Sequence, residues 1–344
     1  MPPERNGIVC AGNWIVDRVK IIDRLPGVGM LGSILSETLA SGGAPFNVLV
    51  DLGKMNAPFP LAGLGVIGDD SGRDFIGSIC APLKIDISRL IILKGMSTSY
   101  TDVMTESGTG VRVFYHYRGA NARFSLEHVK INELPFRIFH LGYLLLLDGM
   151  DKPDPDCGTV AAKLLKNVQE AGIKTSVDVV SEESDRFRQI VPAALPYTDY
   201  LILNEIEAGR TTGHKVRDNQ GKLIPQTIID SVAALHEHGK MELVAVHMPE
   251  GAYLLTKDGK KYSQGSLCLP KNHIKGTVGA GDAFCAGMLY GLHEGWDPAK
   301  ALKLGSCAAA ACLAQPGATD GLLPLNKVME LGNRFPENEP PVPI

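Results

Sequence analysis

The sequence predicts an α/β protein with a central, mostly parallel β-sheet flanked by helices and accompanied by a small β-sheet. After Phe136, apolar β segments alternate with helical segments, which is typical of right-handed βαβ crossovers and a parallel sheet covered on both faces. Before Asn121, short β segments separated by glycines follow one another around one predicted helix, so they cannot all belong to that sheet. The 344 residues are 44% hydrophobic and 21% charged, a composition that excludes extended disorder.

In the first part of the chain, glycines separate short apolar segments. Strands are predicted at Ile8–Gly12, Ile15–Ile22, Ile34–Leu39, Leu61–Ile67, Tyr100–Thr105 and Val111–His116. A helix is predicted from about Pro45 to Met55, because apolar residues recur there at helical spacing. We assign Asn13–Ser41 and Gly95–Gly119 to the small sheet, which we expect to cover a ligand cleft as a lid.

The second part of the chain alternates strands with helices. The predicted strands are Ile138–Leu141, Thr175–Val179, Tyr200–Leu203 and Leu243–His247, and the predicted helices are Val160–Glu170, Ile228–His238, Ala283–His293 and Pro298–Ala314. Because no internal repeat interrupts the pattern, residues 1–344 are interpreted as one domain with the lid inserted in it. The proline-rich residues 336–344 are predicted to form an extended tail.

Charge and composition restrict the partners and the compartment. The formal net charge is −4 with no basic stripe, so nucleic acid is not expected as a partner. The apolar runs are too short to span a membrane, and Met1–Gly7 is polar. Seven scattered cysteines without a Cys-x-x-Cys pair indicate thiols in a reducing compartment, so we expect a cytoplasmic protein.

Two G-x-G-x-x-G patterns, which begin at Gly27 and at Gly63, do not indicate a dinucleotide site. The first lies in a loop, and the second lies within and just after a predicted strand. Neither has the strand-turn-helix context in which such glycines bind a pyrophosphate.

The segment from Lys275 to Ala286, KGTVGAGDAFCA, is a glycine-rich turn followed by a helix. Backbone N–H groups of Gly279, Ala280 and Gly281 at a helix N-terminus can bind an anion. Asp282 in the first turn could orient or deprotonate a hydroxyl that attacks a phosphoryl group. The same pattern is also typical of a capped helix without chemistry.

Two further segments carry polar residues where ligands commonly bind. Asn204 follows a predicted strand with Glu207 three residues later, which fits a capping box and equally fits a Mg²⁺ and phosphate site at the carboxyl edge of a sheet. Near the start, Asp17 and Asn47 offer a carboxylate and an amide to neighbouring hydroxyls, and Gly43 allows close approach of the backbone. This third group indicates a polyol, although Asn47 could simply pack in its helix.

Together these residues resemble the ribokinase-like, or phosphofructokinase-B (PfkB), family of carbohydrate kinases. The resemblance extends from about Gly7 to Leu325. It is carried, in the same order along the chain, by GGAPFNVLVDLG from Gly42, YRGANARFS from Tyr117, LILNEIEAG from Leu201 and GTVGAGDAFCAGML from Gly276.

The resemblance implies the ribokinase-like fold with a β lid, and ATP-dependent phosphorylation of a sugar hydroxyl. It implies Asp282 as the base, with Gly279, Ala280 and Gly281 as the anion hole. By the same resemblance Asp17, Gly43 and Asn47 hold the sugar. Nucleotide binding is implied for Asn204, Glu207, Gly251 and Thr277, with Glu207 supporting Mg²⁺ through water.

One departure from the family pattern affects cation dependence. Many family members bind K⁺ beside the anion hole with help from an aspartate, and this chain has Gly276 at that position. Glycine has no side-chain oxygen, so K⁺ dependence is predicted to be weak or absent.

Two alternatives to the sugar kinase remain open: a nucleoside kinase of the same family and a non-catalytic sugar or nucleotide sensor. The retention of Asp282, Asn204 and Glu207 argues against the sensor.

Because a small sheet leaves strand edges exposed, we expect a homodimer in which two lids pack together.

Overall fold

A computed structural model describes residues 5–182 and 184–344. The first four residues of the polar segment Met1–Gly7, and Glu183 within the predicted single domain, therefore lie outside the described residues. The strands are β1 (Ile8–Gly12), β2 (Ile15–Ile22), β3 (Ile34–Gly42), β4 (Leu61–Gly68), β5 (Asp86–Leu93), β6 (Ser99–Glu106), β7 (Arg112–Tyr117), β8 (Ile138–Leu144), β9 (Pro153–Asp154), β10 (Gly158–Thr159), β11 (Lys174–Val179), β12 (Tyr200–Asn204), β13 (Leu243–Met248), β14 (Gly251–Thr256) and β15 (Lys261–Gly265).

The helices lie mainly between the strands of the second part of the chain. They are α1 (Ala44–Lys54), α2 (Ser71–Cys80), α3 (Val160–Glu170), α4 (Phe187–Ala194), α5 (Glu205–Thr212), α6 (Pro225–Glu237), α7 (Ala280–His293), α8 (Pro298–Cys312) and α9 (Leu325–Arg334). Short 3₁₀ segments occur at Gly119–Arg123, Leu126–His128, Ile131–Glu133, Leu195–Tyr197 and Lys271–His273.

The main sheet has nine strands in the order β15-β14-β13-β12-β11-β8-β1-β4-β5. From β5 to β13 neighbouring strands are parallel, so the predicted fold class is confirmed. The edge beyond β13 differs from the prediction, because β14 and β15 form an antiparallel hairpin there. At the other edge, α2 and β5 were not predicted. Strand β5 is half exposed, and its edge position weakens the apolar pattern that a central strand would have.

A second sheet has the order β3-β2-β6-β7, and we call these four strands the lid sheet. Its strands pair antiparallel except for β2 and β6, which are parallel. The early β segments thus divide between two sheets. Strands β1 and β4 belong to the main sheet, in which their residues are buried on both faces.

The core lies on the two faces of the main sheet. One face is covered by α1, α7 and α8, whose apolar side chains form one cluster with β1 and β4. The other face packs against α3, α4 and α6. In this arrangement α7, the helix that follows the glycine-rich turn, packs directly against α1.

The second G-x-G-x-x-G pattern has a packing explanation. Gly63 and Gly65 lie within β4 under the indole ring of Trp14, and a Cβ at Gly63 would lie 2.2 Å from the Trp14 Cζ2 atom. Trp14 is fully buried and donates its indole N–H to the Leu64 carbonyl at 3.1 Å. These glycines therefore make room for an aromatic core residue.

The segment 336–344 contains no helix or strand and packs along the β14–β15 hairpin. The Asn338 N–H donates to the Ser266 carbonyl at 2.8 Å, and Val342 is fully buried. Within the described residues, no helix is both long enough and apolar enough to cross a membrane.

Candidate active site

The carboxyl ends of the parallel strands bring polar side chains together at one edge of the main sheet. Asn13 follows β1, Tyr143 lies near the end of β8, Asp178 near the end of β11, Asn204 ends β12 and His247 lies near the end of β13. Open α/β sheets bind their ligands at this edge. The N-terminus of α7 reaches the same place, because Gly281 lies against the His247 ring.

The glycine-rich turn gives α7 a helix N-terminus that can accept an anion. Gly279 is the N-cap residue in a left-handed conformation with φ of 80°, and a Cβ there would lie 2.1 Å from the Ala318 carbonyl oxygen. The first N–H groups of a helix, here those from Ala280 onward, have no acceptor within the helix. Gly279, Ala280 and Gly281 thus form a backbone surface with positive character.

Asp282 does not act as a helix cap, because no side chain caps α7. Its buried carboxylate accepts a hydrogen bond from Asn47 Nδ2 at 2.7 Å and from the Tyr143 hydroxyl at 3.1 and 3.3 Å. Burial raises the pKa of Asp282 to about 6, against the opposing effect of these two hydrogen bonds. A carboxylate with a pKa near neutrality is suited to accept a proton.

Asn47 lies in the first turns of α1, where the glycine pair before the helix fixes the chain. Gly43 has φ of 84°, and a Cβ there would lie 2.2 Å from the Asn13 carbonyl oxygen. A Cβ at Gly42 would lie 2.4 Å from the Asp17 carboxylate. The glycines therefore allow α1, the lid sheet and the strand-end residue Asn13 to meet closely.

Asp17 begins a row of three polar side chains across the lid sheet. It pairs in register with Thr101, which pairs with His116, and the Thr101 hydroxyl lies 3.1 Å from His116 Nδ1. Burial raises the pKa of Asp17 to about 7, with a smaller contribution from the charge of Asp282. Burial also lowers the pKa of His116 to about 4, so its ring is neutral at physiological pH, and its Nε2 atom has no partner within the described chain.

The capping box at Asn204 is present, and it also faces the cleft. The Asn204 side chain accepts from the Glu207 N–H at 2.9 Å, and Glu207 Oε2 accepts from the Asn204 N–H at 3.0 Å. The other carboxylate oxygen of Glu207 accepts from the Ser181 hydroxyl at 2.6 Å. Burial raises the pKa of Glu207 to about 7. Both carboxylate oxygens of Glu207 thus already accept hydrogen bonds, with which direct coordination of a metal ion would compete.

The carboxyl edge of the main sheet and the N-terminus of α7 enclose one cavity of about 190 Å³. Its lining residues are Tyr143, Asp178, Val179, Val180, Ser181, Asn204, Glu207, His247, Gly279, Gly281 and Asp282. Burial raises the pKa of Asp178 well above its usual range, with further contributions from the charges of Glu207 and Asp282. The lining includes three carboxyl groups and no lysine or arginine. Such a cavity fits Mg²⁺ that arrives with nucleotide phosphates, because the ion would offset the mutual repulsion of the carboxylates. In residues 5–182 and 184–344, no three His, Cys, Asp or Glu side chains are placed together so that they could hold a metal ion.

Six predicted site residues do not line this cavity: Asp17, Gly43 and Asn47 at the lid sheet and α1, Ala280 in the first turn of α7, and Gly251 and Thr277. Gly251 begins β14 with φ of 151°, and a Cβ there would lie 2.1 Å from the Gln264 carbonyl oxygen and 3.0 Å from Pro341. The packing of β15 and the tail therefore explains this glycine without a ligand. Thr277 is exposed in the loop before α7, two residues before Gly279.

Sequence reasoning missed Tyr143, Thr101 and His116. Each lies inside a strand whose pattern predicts nothing but β structure, so no local signal points to chemistry. They become visible only when register and hydrogen bonds connect them to Asp282 and Asp17.

Comparison with known proteins finds that this chain is similar to carbohydrate kinases. A model of the pfkB family of carbohydrate kinases matches residues 6–325. A probable fructokinase-6, chloroplastic, from Arabidopsis thaliana is 27% identical over 295 residues, which cover 82% of this chain and 69% of that protein. A 5-dehydro-2-deoxygluconokinase from Clostridium perfringens is 22% identical over 294 residues, which cover 84% of this chain and 82% of that protein.

Solved structures share the fold. A ribokinase from Arabidopsis thaliana, complexed with ribose and ATP, superimposes with a TM-score of 0.76 at 22% identity, covering 95% of this chain and 98% of that one. A putative ribokinase II from E. coli, in complex with ATP and Mg²⁺, superimposes with a TM-score of 0.74 at 19% identity, covering 95% and 99%.

Proposed function

Because the chain belongs to the PfkB family of carbohydrate kinases, we propose that it transfers the γ-phosphoryl group of ATP to a hydroxyl of a small sugar. The observation that carries this proposal is the position of Asp282. Its side chain belongs to the first turn of α7, whose free N–H groups follow Gly279, and it lines the same cavity as Glu207. A proton acceptor beside an anion-binding helix N-terminus is the arrangement that phosphoryl transfer to a hydroxyl requires.

In the proposed mechanism, Asp282 accepts the proton of the attacking sugar hydroxyl. Asn47 and Tyr143 keep its carboxylate oriented by donating to it. The backbone of Gly279, Ala280 and Gly281 stabilises the charge on the transferring phosphoryl oxygens. When bound, Mg²⁺ would neutralise charge on the nucleotide phosphates, and Asn204 and Glu207 would hold it through water.

The sugar is proposed to lie between the lid sheet and the carboxyl edge of the main sheet. Asp17 and Asn47 are its expected hydrogen-bonding partners, and Gly43 leaves room beside them. Thr101 and His116 extend this polar row, and the unpartnered His116 Nε2 atom offers one more position for a hydroxyl. A row of small polar groups suits an acceptor with several adjacent hydroxyls better than an apolar one.

A panel of acceptors tests the substrate class. Release of ADP would be followed with hexoses, pentoses, keto-deoxy sugar acids and nucleosides at saturating ATP and Mg²⁺. We expect at least one sugar to give turnover well above the rate without acceptor. Turnover with nucleosides alone would favour the nucleoside kinase, and binding of a ligand without turnover would favour the sensor.

We expect activity to be nearly independent of K⁺. Gly276 supplies no carboxylate, and a Cβ there would lie 2.8 Å from Pro316 Cα, so the neighbouring loop occupies the space of a side chain. The measurement is kcat/KM in K⁺, Na⁺ and a bulky organic cation at constant ionic strength. Activation by K⁺ of several-fold over the organic cation would contradict this expectation.

The pH dependence is expected to follow the ionisation of Asp282. Because a base must be deprotonated, kcat/KM should fall as pH drops below about 6. The Tyr143 hydroxyl stabilises the ionised form, so Tyr143→Phe should move this limb to higher pH, by about one unit for a hydrogen bond to a charged group. The control is Tyr262→Phe, at a partly exposed tyrosine of β15 that does not line the cavity. An unchanged acidic limb in Tyr143→Phe would contradict the pairing.

A homodimer through the lid sheet is also proposed. The edge strands β3 and β7 carry exposed Leu39, Tyr115 and Tyr117 on the face opposite the Asp17 row. We expect Leu39→Asp to weaken a dimer that sedimentation detects in the wild type, whereas Leu323→Asp, at an exposed leucine outside the lid sheet, should not. A single 36.9 kDa species at micromolar concentration of the wild type would contradict the dimer.

A cytoplasmic location remains a proposal. It is supported by the seven cysteines, all in the described part of the chain, none of which forms a disulfide.

A further inference from the structure

Asp51 is a buried carboxyl group for which the proposed mechanism has no use. It lies on α1, one turn after Asn47, and its side chain is completely shielded from solvent. Both of its carboxyl oxygens lack a hydrogen-bond partner within the residues that the structure describes. The cost of burying an unpaired charge is so high that such a group normally takes its neutral form.

The charged and polar groups around Asp51 do not pair with it. Lys54, on the same helix, donates its ammonium group to the Thr319 carbonyl at 2.8 Å. The Cys312 thiol donates to the carbonyls of Val278 and Ala318 at 3.3 and 3.1 Å.

The remaining titratable neighbours are the Cys285 thiol and the acids Asp282 and Asp320. Burial raises the pKa of Asp51 well above its usual range, and the charges of Asp282 and Asp320 act in the same direction while Lys54 opposes them. The surroundings therefore favour the protonated acid.

A protonated carboxyl group carries one O–H donor and needs an acceptor. Such an acceptor is present on Asn47. Its Oδ1 atom is buried and makes no hydrogen bond among the described residues. Residues four positions apart on a helix are neighbours on its surface. The three orphaned oxygens of Asn47 and Asp51 are all acceptors, so a single proton on one Asp51 oxygen would pair that oxygen with Asn47 Oδ1.

We propose that the Asp51 carboxyl is a neutral acid that donates its hydrogen to Asn47 Oδ1 and so holds the Asn47 amide in the orientation that serves Asp282. With Oδ1 held by Asp51, Nδ2 faces the Asp282 carboxylate, to which it donates at 2.7 Å. If the amide rotated by half a turn, it would direct an oxygen at that carboxylate and repel it. Asp51 is thus a positioning residue, and its effect on turnover rests on the proposed function of Asp282.

Two variants of similar size, Asp51→Asn and Asp51→Leu, distinguish a hydrogen-bond donor at position 51 from a side chain that only fills space. Asp51→Asn keeps a donor for Asn47 Oδ1, so kcat should stay within about twofold of the wild type. Asp51→Leu removes the donor, and we expect kcat to fall about five- to tenfold, as for loss of one neutral hydrogen bond. The thermal unfolding temperature of Asp51→Leu should also fall, because the buried Asn47 Oδ1 atom is left without a donor.

A spectroscopic measurement tests the proton without reference to activity. The infrared difference spectrum between the wild type and Asp51→Asn at neutral pH should contain the C=O stretch of a protonated carboxylic acid. Carboxylate bands in its place would show that Asp51 is ionised and overturn the proposal, even if the enzyme proves to have another activity. Equal losses of kcat in Asp51→Asn and Asp51→Leu would overturn it too.

Discussion

Asp282→Asn is expected to lower kcat by roughly 10²–10⁴-fold, because it removes the proton acceptor while keeping the shape of the side chain. An asparagine oxygen can still accept from Asn47 or Tyr143, which hold the aspartate in the wild type. The fold should not be destabilised at neutral pH, since burial raises the pKa of Asp282 and thus disfavours its ionised form. Sugar affinity should change little.

The measurement is steady-state turnover with ligand binding determined separately on the same variant. Asp74→Asn is a suitable control, because Asp74 lies exposed on α2, outside the cavity. If Asp282→Asn retains more than about a tenth of the wild-type kcat, Asp282 is not the base.

Asp17→Ala is expected to raise the KM for the sugar by roughly 10–100-fold and to leave the KM for ATP nearly unchanged. A hydrogen bond to a charged group contributes about 1.5–3 kcal/mol when it is shielded from water. Asp17 stands on the lid sheet in register with Thr101 and does not line the cavity that contains Gly279, where phosphate is proposed to bind. Its loss should therefore affect one substrate only.

Glu37→Ala provides the matched control for Asp17→Ala. Glu37 is an exposed acid on β3 of the same lid sheet, so a general disturbance of the lid would appear in both variants. Equal losses of affinity for sugar and ATP in Asp17→Ala would indicate damage to the fold rather than a lost sugar contact.

Much of the fold was predictable because the physical signals are local. The alternation of apolar strands and amphipathic helices after Phe136 predicted the parallel sheet, which the structure confirms. The β14–β15 hairpin was missed although a signal existed, since Asp258-Gly259 after the apolar segment Gly251–Thr256 is a typical hairpin turn. Strand β5 was harder, because an edge strand is half exposed and its apolar periodicity is weak. Helix α2 was missed although it also had a local signal, since Asp70 caps its N-terminus and Ile76 and Cys80 are buried at helical spacing.

Some residues of the candidate site could be predicted from the sequence, and others could not. Asp282 and Glu207 could be selected from the sequence, because a glycine-rich turn and a capping box mark the starts of their helices. Tyr143 could not, since it lies in an apolar strand and contacts Asp282 across 139 residues of sequence. The burial of Asp51 was equally hidden, because an acid in a predicted amphipathic helix is expected to face solvent, whereas α1 is covered by α7.

The central claim is that this chain moves a phosphoryl group from ATP to a sugar hydroxyl. The most direct measurement is the mass of the acceptor after incubation with ATP and Mg²⁺, with ADP quantified in the same reaction. We predict a sugar whose mass rises by one phosphoryl group, in amounts equal to the ADP formed, with the wild type and not with Asp282→Asn. ADP formed at the same rate with and without every acceptor, and no phosphorylated product, would contradict the claim.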